Sequence, residues 1–266
     1  MSPNETIPRP SGFEPRHPQR LAALRAYAIL DTPPERAFDE IAEMAAQACG
    51  TPMAHINFVD ADRQWIKAAF GHAARTMPLD FGFCTEAMRA DGVLVLPDLA
   101  AEPESAANRL VTGEPHLRFY AGVPLVTPDG WAIGTLCVLD RVPRTLTDQQ
   151  RFILMALART VMTQLESRNA EAALRRNEER YRSLFTFIDA GFCLIEVKFA
   201  DGDRPVDYRF LEVNPAFERQ TGLREAVGRW MRDLAPDHEQ HWFDLYGRVA
   251  LTAEPVRFEQ AAAALG

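Results

Sequence analysis

The sequence lacks the features that mark membrane-spanning, secreted and zinc-binding proteins. No apolar stretch approaches the roughly 20 residues that cross a bilayer, and the first 20 residues contain no apolar run of the kind that signal peptides carry. The cysteines, Cys49, Cys84, Cys137 and Cys193, lie far apart, and no two have CxxC spacing. These absences predict a protein without membrane spans in a reducing cytoplasm.

Long basic runs are also missing. The chain has 266 residues with 29 Lys and Arg against 37 Asp and Glu, so its net charge is −8. We therefore expect no nucleic-acid partner, because an acidic surface repels phosphates. The 47% share of apolar residues is that of an ordinary globular protein, and the length allows one large domain or two smaller ones.

Signatures of catalytic and nucleotide-binding sites are absent as well. The chain contains no GxGxxG or Walker loop, no GGDEF-like segment, and no phosphoacceptor helix with an ATP-binding Gly-rich box. His238 and His241 have i,i+3 spacing rather than the i,i+4 spacing that points two imidazoles at one zinc, so we interpret them as part of a solvated helix face. We expect neither a catalytic domain nor a metal site in this chain, and no pattern indicates a particular cofactor.

Residues 20–165 carry the pattern of an α+β domain on an antiparallel sheet. A capping box at Thr32 and Glu35 predicts the start of a helix, with Pro33 at its first position. Predicted hairpins over 55–70 and 119–139 flank a loop-rich insert. Long polar loops in compact domains are usually functional, so we expect the site to lie near this insert.

A second capping box, at Thr147 and Gln150, begins a long predicted helix. No Gly or Pro interrupts the sequence from 145 to 190, and its later turns have Leu165 and Leu174 as apolar positions. Two interpretations stay open, a solvated spacer helix and a parallel coiled-coil linker in a homodimer. We favour the coiled coil, although the heptads are not sustained.

These patterns divide the chain into four parts. They are a disordered leader (1–19), the α+β domain (20–165), a signalling linker helix (166–182) and a partial α/β domain (183–266). In the last part, strands over 191–199 and 206–213 precede a helix capped by Asn214, and a third strand is expected at 256–260.

Several sequence blocks identify the first domain more closely. They are Ile29-Leu30-Asp31-Thr32-Pro33, Phe58-Val59-Asp60, Arg63-Gln64-Trp65, Phe83-Cys84, Arg118-Phe119-Tyr120-Ala121-Gly122-Val123-Pro124-Leu125 and Gly134-Thr135-Leu136-Cys137-Val138-Leu139-Asp140. Together they resemble a bacterial GAF domain of the type found in sensor histidine kinases and diguanylate cyclases. The resemblance implies an antiparallel sheet with flanking helices and a cavity for a small-molecule ligand.

A second set of blocks lies in residues 181–260. Tyr181-Arg182-Ser183-Leu184-Phe185, Asp189-Ala190-Gly191-Phe192-Cys193 and Phe210-Leu211-Glu212-Val213-Asn214-Pro215-Ala216-Phe217 resemble a PAS domain. A PAS sheet normally closes with two further strands beyond Phe258, and only 261–266 remain after that strand here. We therefore expect a C-terminally truncated PAS domain and a chain that is a fragment of a longer sensor.

Six residues are candidates for lining the ligand cavity that the GAF resemblance implies. They are His55, Asn57, Cys84, Asp98, Arg118 and Tyr120. His55 and Asn57 share one face of a predicted strand, where a histidine satisfied within the sheet is the alternative interpretation. Asp98 and Arg118 belong to the polar insert and the strand after it, where solvated loop charges are the alternative.

Cys84 raises the possibility of a GAF-fold redox enzyme or a thiol redox sensor. It resembles one cysteine position of GAF-fold methionine sulfoxide reductases, whose cycle needs a second thiol on the adjacent loop. The insert contains no cysteine and Cys137 lies on a predicted core strand, so we favour a buried apolar thiol. Signatures of cyclic-nucleotide, bilin and flavin sites are absent: Thr85 follows Cys84 where bilin-binding domains have His, and Met231 stands where flavin-binding domains have Cys.

The resemblances imply a cytoplasmic sensory input module of a histidine kinase or a diguanylate cyclase. A small-molecule or partner signal of unknown identity would change the packing around the cavity, and the linker helix would pass that change on within a homodimer. A dimerisation scaffold with an empty cavity is the third possibility.

Overall fold

The computed structural model describes residues 14–72, 75–79 and 82–257, and the chain forms two compact units, Met1–Ala173 and Leu174–Gly266. Within those described ranges, no helix is both long enough and apolar enough to cross a bilayer. The predicted leader falls mostly on residues outside the description, and the first helix begins at Pro18.

A six-stranded antiparallel sheet forms the centre of the first unit, which confirms the predicted α+β fold class. Its strands are β1 (Met53–Val59), β2 (Arg63–Phe70), β3 (Thr76–Pro78), β4 (Leu94–Leu96), β5 (Phe119–Val126) and β6 (Ala132–Asp140). Their order across the sheet is β3-β2-β1-β6-β5-β4, so the two predicted hairpins meet through the pairing of β1 with β6.

Helices cover both faces of this sheet. They are α1 (Pro18–Ala26), α2 (Arg36–Cys49), α3 (Cys84–Ala87), α4 (Arg109–Thr112) and α5 (Asp148–Phe187). Ala54, Ile56 and Phe58 of β1 pack against α1, α2 and α5, while Met53 faces the α3 and α4 side. Because successive residues of a strand point to opposite faces, His55 and Asn57 share the face of Met53.

The predicted start of α2 is wrong by three residues. The helix begins at Arg36, with Glu35 as its N-cap and no side-chain cap hydrogen bond. The buried ammonium of Lys67 donates to Thr32 Oγ1 at 2.8 Å and to Glu35 Oε1 at 2.6 Å. Both members of the expected capping box are therefore bound to Lys67, and a tertiary ion pair replaces the local cap.

The long helix α5 begins as predicted. Thr147 Oγ1 accepts from the Gln150 backbone N–H at 3.2 Å, and Gln150 Oε1 accepts from the Thr147 N–H at 3.0 Å. Leu165 is 1% exposed within the core of the first unit, whereas Leu174 is 69% exposed. The two apolar positions of the later turns therefore differ, and Leu165 is unavailable for contact with a second chain.

Besides the last turns of α5, the second unit contains a two-stranded antiparallel sheet and three further helices among its described residues. They are β7 (Cys193–Ala200), β8 (Arg204–Val213), α6 (Pro215–Thr221), α7 (Met231–Leu234) and α8 (Gln240–Thr252). Asn214 caps α6 as predicted, since its side chain accepts from the Phe217 N–H at 2.8 Å. The strand expected at 256–260 is not formed at residues 256 and 257, and the rest of it lies outside the described residues.

Candidate functional site

A cavity of about 30 Å³ lies in the first unit, on the sheet face opposite α2 and α5. Four of the six candidate residues line it: His55 and Asn57 from β1, Cys84 at the start of α3, and Tyr120 from β5. Cys137 of β6 also lines it, because the strand register places Cys137 opposite His55. The volume suits one or two molecules the size of water.

The Cys84 sulfur is the centre of a buried hydrogen-bond network. Asn57 Nδ2 donates to Cys84 Sγ at 2.9 Å and approaches Cys137 Sγ at 3.9 Å. The Thr135 hydroxyl donates to Asn57 Oδ1 at 2.8 Å, which fixes the amide with its NH₂ group towards the sulfurs. The Tyr120 hydroxyl lies 3.6 Å from Cys84 Sγ.

Gly122 makes the Tyr120 position possible. A Cβ at residue 122 would lie 2.3 Å from the Tyr120 hydroxyl oxygen, closer than any real contact of that kind. The glycine therefore lets the tyrosine ring lie back along β5, where it also contacts the Phe83 ring at 5.5 Å between centroids.

These contacts favour the thiolate form of Cys84. A hydrogen bond from the Cys137 thiol is the largest cause that lowers the pKa of Cys84 to about 6, and the donors of Tyr120 and Asn57 act in the same direction against the effect of burial. The pKa of Cys137 is raised well above its ordinary value, because its thiol hydrogen-bonds to Cys84 and is buried. One of the two sulfurs thus carries the charge while its neighbour keeps its proton.

His55 presents a buried nitrogen to this cavity. The residue is 5% exposed, and its Nε2 atom has no hydrogen-bond partner within the part of the chain that the structure describes. Burial lowers the pKa of His55 to about 4, and the neighbouring His72 ring, 5.6 Å away, adds to that effect. The imidazole is therefore neutral at ordinary pH, and its Nε2 is available to a molecule in the cavity.

Asp98 and Arg118 are not brought to the cavity. The Asp98 carboxylate accepts from the Ala100 backbone N–H at 3.1 Å and shapes a surface turn. The Arg118 guanidinium donates to the Val111 and Leu117 carbonyl oxygens at 3.0 and 2.9 Å, so it holds the insert against β5. Both residues organise the loop-rich insert near which the sequence analysis expects the site.

The sequence interpretation missed Cys137, Thr135, His72 and Met77 as parts of the site and its surroundings. Cys137 and Thr135 lie on the partner strand β6, directly opposite His55 and Asn57. Pairing the predicted strands would therefore have placed them on the same face of the sheet as the two candidates. His72 follows β2 directly and Met77 lies in the three-residue strand β3, which is too short to leave a periodic signal in the sequence.

A GAF domain model matches residues 33–165, half of the chain, and a PAS domain model matches residues 179–253. The chain belongs to the GAF family and carries a PAS domain after the GAF domain. Both resemblances drawn from the sequence are confirmed by these matches. The cavity described above lies within the GAF domain.

One curated protein is similar to this chain over more than half of its length. The chain is 35% identical over 158 residues to cyclic di-GMP phosphodiesterase PA2567 of Pseudomonas aeruginosa, a match of 58% of this chain and 27% of that protein. The chain therefore spans about a quarter of the length of this curated relative.

Solved structures similar to the chain are GAF-fold proteins. A free methionine-R-sulfoxide reductase from Neisseria meningitidis is 19% identical with a TM-score of 0.42, over 63% of this chain and 99% of that one. The GAF domain of a phosphoenolpyruvate-protein phosphotransferase from Coxiella burnetii is 15% identical with a TM-score of 0.45, over 58% and 96%. At these TM-scores the likenesses add nothing to the family assignment.

The PAS domain has a separate cavity of about 190 Å³, with mainly aromatic walls that include Tyr208, Trp242 and Tyr246. His238 lies in it, 5% exposed, with Nε2 at 3.1 Å from the Tyr208 hydroxyl oxygen. The expectation that His238 belongs to a solvated helix face is therefore wrong, because its ring is stacked on Trp242. Burial lowers the pKa of His238, so the ring favours its neutral form.

No cluster of three or more histidine, cysteine or carboxylate groups able to hold a metal ion occurs in the described ranges. The walls of the two cavities carry hydrogen-bonding groups, sulfur and aromatic rings. In the GAF domain these groups converge on one sulfur atom, and in the PAS domain they surround a larger apolar space.

Proposed function

We propose that the chain is the sensory input module of a bacterial signal-transduction protein, in which the GAF cavity receives the signal and α5 carries it onward. The observation that supports this proposal is a series of hydrogen bonds and ion pairs that runs from Arg75, two positions before Met77 of the cavity wall, to Arg168 of α5. Each step lies within the first unit and joins one secondary-structure element to the next.

The series begins beside the cavity wall. His72 and Met77 line the cavity, and Arg75 lies two positions before Met77 in the sequence. The Ile66 N–H donates to the Arg75 carbonyl oxygen at 2.9 Å, and Arg75 Nη1 donates to the Lys67 carbonyl oxygen at 3.2 Å. A shift of Arg75 would therefore move the backbone of β2 at Lys67.

The side chain of Lys67 connects β2 to Glu35 at the start of α2, on the face of the sheet that the long helices cover. Its side chain is fully buried and its Nζ atom is 2.6 Å from Glu35 Oε1. The same carboxylate oxygen lies 3.3 Å from Nε of Arg168, whose Nη1 donates to the Tyr27 carbonyl oxygen at 3.0 Å. Glu35 therefore joins a buried cation of β2 to a cation of α5, and displacing either one changes the partner of the other.

The output that receives the signal is proposed from the relatives. Sensory domains of this kind fit a longer cytoplasmic protein, a histidine kinase or an enzyme of cyclic di-GMP metabolism, with its catalytic domain outside these 266 residues. The 35% identical relative is a cyclic di-GMP phosphodiesterase, which supports cyclic di-GMP metabolism as the output.

A double-substitution experiment tests the coupling. Met77→Ala disturbs the cavity wall, and we expect hydrogen exchange of the α5 turns around Arg168 to become severalfold faster. In an Arg168→Ala background the same disturbance should leave α5 unchanged, whereas an Arg159→Ala background, an exposed arginine of the same helix, should preserve the response. An equal response in both backgrounds would contradict the proposed route.

We further propose that the later turns of α5 hold a homodimer together. Leu174, Tyr181 and Leu184 of these turns are spaced by seven and three residues, and each is more than half exposed. Disulfide or bismaleimide crosslinking of Leu184→Cys to its copy is expected, with Leu165→Cys in the core as the negative control. If Leu184→Cys forms no crosslink even at high protein concentration, the proposed dimer is contradicted.

Redox use of Cys84 is a second candidate function, favoured by the donors around its sulfur. A thiolate at neutral pH can attack a sulfoxide or a peroxide, whereas an ordinary buried thiol is inert. Methionine sulfoxide reduction with a thiol reductant tests the enzymatic form, and its loss in Cys84→Ser would support it. Without reduction in the wild type, the enzymatic form fails while a sensing role for Cys84 stays open to the test below.

A further inference from the structure

We infer that Cys84 and Cys137 form a dithiol that hydrogen peroxide converts to a disulfide inside the GAF cavity. The inference rests on the redox use of Cys84 and adds both the second thiol and the class of oxidant. It does not depend on the route to α5, since the disulfide either forms or fails to form whatever the helix does.

The two sulfurs are neighbours although their residues are 53 positions apart in the sequence. Cys84 begins α3 and Cys137 lies in the middle of β6, and both side chains line the same cavity. The Asn57 amide nitrogen reaches both sulfurs, at 2.9 and 3.9 Å. This is the partner thiol that the loop-rich insert does not supply, provided by the sheet instead.

The two thiols are prepared for different roles. Cys84 accepts hydrogen bonds from Asn57 and Tyr120, so its charged form is favoured and it is the attacking sulfur. Cys137 keeps its proton beside that charge and becomes the better nucleophile only after Cys84 has reacted, because the negative charge is then lost. The order of reaction follows from the hydrogen bonds rather than from exposure, since both residues are buried.

The size and polarity of the cavity select the oxidant. Its volume of about 30 Å³ holds a molecule the size of peroxide and excludes disulfides such as oxidised glutathione. The unpartnered Nε2 atom of His55 offers a hydrogen bond to a peroxide oxygen. A buried polar atom without a partner has a desolvation cost that a small polar ligand removes.

The reaction balances without another reactant. The Cys84 thiolate attacks one peroxide oxygen, the O–O bond breaks, and the departing hydroxide takes the proton released by Cys84 and leaves as water. Cys84 is then a sulfenic acid. The Cys137 sulfur attacks Cys84 Sγ, the S–O bond breaks, and the hydroxide leaves with the Cys137 proton as a second water. Two electrons have passed from the dithiol to the peroxide.

The remaining cysteines serve as internal controls. Cys49 packs in the helical core of the GAF domain, and burial raises its pKa to about 11. Cys193 lies in the PAS domain, where burial also raises its pKa. Neither has a hydrogen-bond donor set like that of Cys84, so both should react slowly with peroxide.

The test treats the full chain with hydrogen peroxide and maps its cysteines by alkylation and peptide mass spectrometry. We expect one linked peptide pair, Cys84 with Cys137, to form at least tenfold faster than any oxidation of Cys49 or Cys193. Oxidised glutathione at equal concentration should produce no such pair. In Cys137→Ser, dimedone added together with a denaturant, so that its size does not keep it from the sulfur, should trap a sulfenic acid at Cys84, and in Cys84→Ser Cys137 should stay reduced.

Each outcome decides one part of the inference. Sulfenic acid at Cys84 in the wild type without a disulfide rejects Cys137 as the partner but leaves the redox use of Cys84 intact. No reaction at Cys84, or oxidation of Cys49 at the same rate, rejects both. If the serine variants fail to fold by circular dichroism, peptide mapping of the wild type with the two oxidants still settles the question.

Discussion

The cavity of the GAF domain and the cavity of the PAS domain use opposite means to hold their shape. The GAF cavity is about 30 Å³, and its polar groups, chiefly Asn57, Tyr120 and Thr135, are bound to one another around a sulfur. The PAS cavity is about 190 Å³, and its aromatic rings touch one another in tilted and T-shaped pairs. The first depends on hydrogen-bond geometry and the second on packed volume.

This difference says which substitutions each domain should tolerate. A hydrogen-bond network loses stability when one donor is removed, because its partner is left buried and unsatisfied. A packed aromatic cluster loses stability mainly with volume and hardly with polarity. The walls of the two cavities should therefore respond to different classes of change, although each domain also has an apolar core that depends on packed volume.

The largest effect is expected in the aromatic cluster of the PAS domain. Phe243 is fully buried, with its ring 5.4 Å from Tyr208 and 5.5 Å from His238. Phe243→Ala should cost about 3 to 5 kcal/mol of the unfolding free energy of that domain. Protection from hydrogen exchange should be lost in β7, β8 and α8, while β1 and β6 should keep theirs.

Phe38→Ala is the matched substitution in the GAF domain, where Phe38 is also fully buried. It should have the reverse pattern, with protection lost in the GAF sheet and kept in the PAS domain. Equal loss of protection in both domains with either variant would show that the two compact units unfold as one.

The next effect is the acid sensitivity that His55 gives the GAF domain. Its folded-state pKa of about 4 lies below the ordinary 6.5, so the unfolded state binds more protons between these values. The contribution of His55 to the unfolding free energy of the GAF domain is therefore fully present above pH 6.5. It is lost as the pH falls towards 4, and the loss is about 3 kcal/mol at most. Urea unfolding at several pH values measures this slope.

His55→Gln should flatten the slope of the GAF domain in that window. The matched variant His238→Gln should leave it unchanged, because His238 belongs to the PAS domain. A GAF slope that persists in His55→Gln would place the titrating group elsewhere and weaken the assignment of His55 as a buried neutral ring.

The GAF sheet was predictable because its signals are local. Alternation placed β1 and β2 and both hairpins, and the Thr147 capping box placed the start of α5. The start of α2 was not predictable from Thr32 and Glu35, because the residue that binds both of them, Lys67, is more than 30 positions away. A tertiary ion pair overrode the local signal there.

The same distinction holds for the site. His55, Asn57, Cys84 and Tyr120 were named as candidates, and their meeting in one cavity follows from the sheet order. Asp98 and Arg118 were proposed for their charge, but their partners are backbone groups of the same insert. Charge alone did not distinguish a residue that shapes a loop from one that faces a ligand.

A smaller effect is expected from the amide at the centre of the GAF network. Asn57→Leu leaves the Thr135 hydroxyl and the Cys84 sulfur without their partner, which should cost about 1 to 3 kcal/mol in urea unfolding. Thr135→Val should cost less once Asn57 has been replaced, because the lost hydrogen bond is shared by the two residues. Strict additivity of the two substitutions would mean that they act independently and that the network is not a unit.

The smallest effect is expected from the most conservative change in the network. Tyr120→Phe keeps the ring contact with Phe83 and removes only the hydroxyl that lies 3.6 Å from Cys84 Sγ. A long hydrogen bond to sulfur should contribute about 1 kcal/mol or less to the thiolate, which is a factor of about five in its population. The pKa of Cys84 should rise, and oxidation by peroxide at pH 6, where half of the thiol is already protonated, should slow by up to about threefold while the rate at pH 9 hardly changes. A rate that falls equally at both pH values would instead assign the Tyr120 hydroxyl to binding the oxidant, since a change in pKa matters only where the thiol is partly protonated.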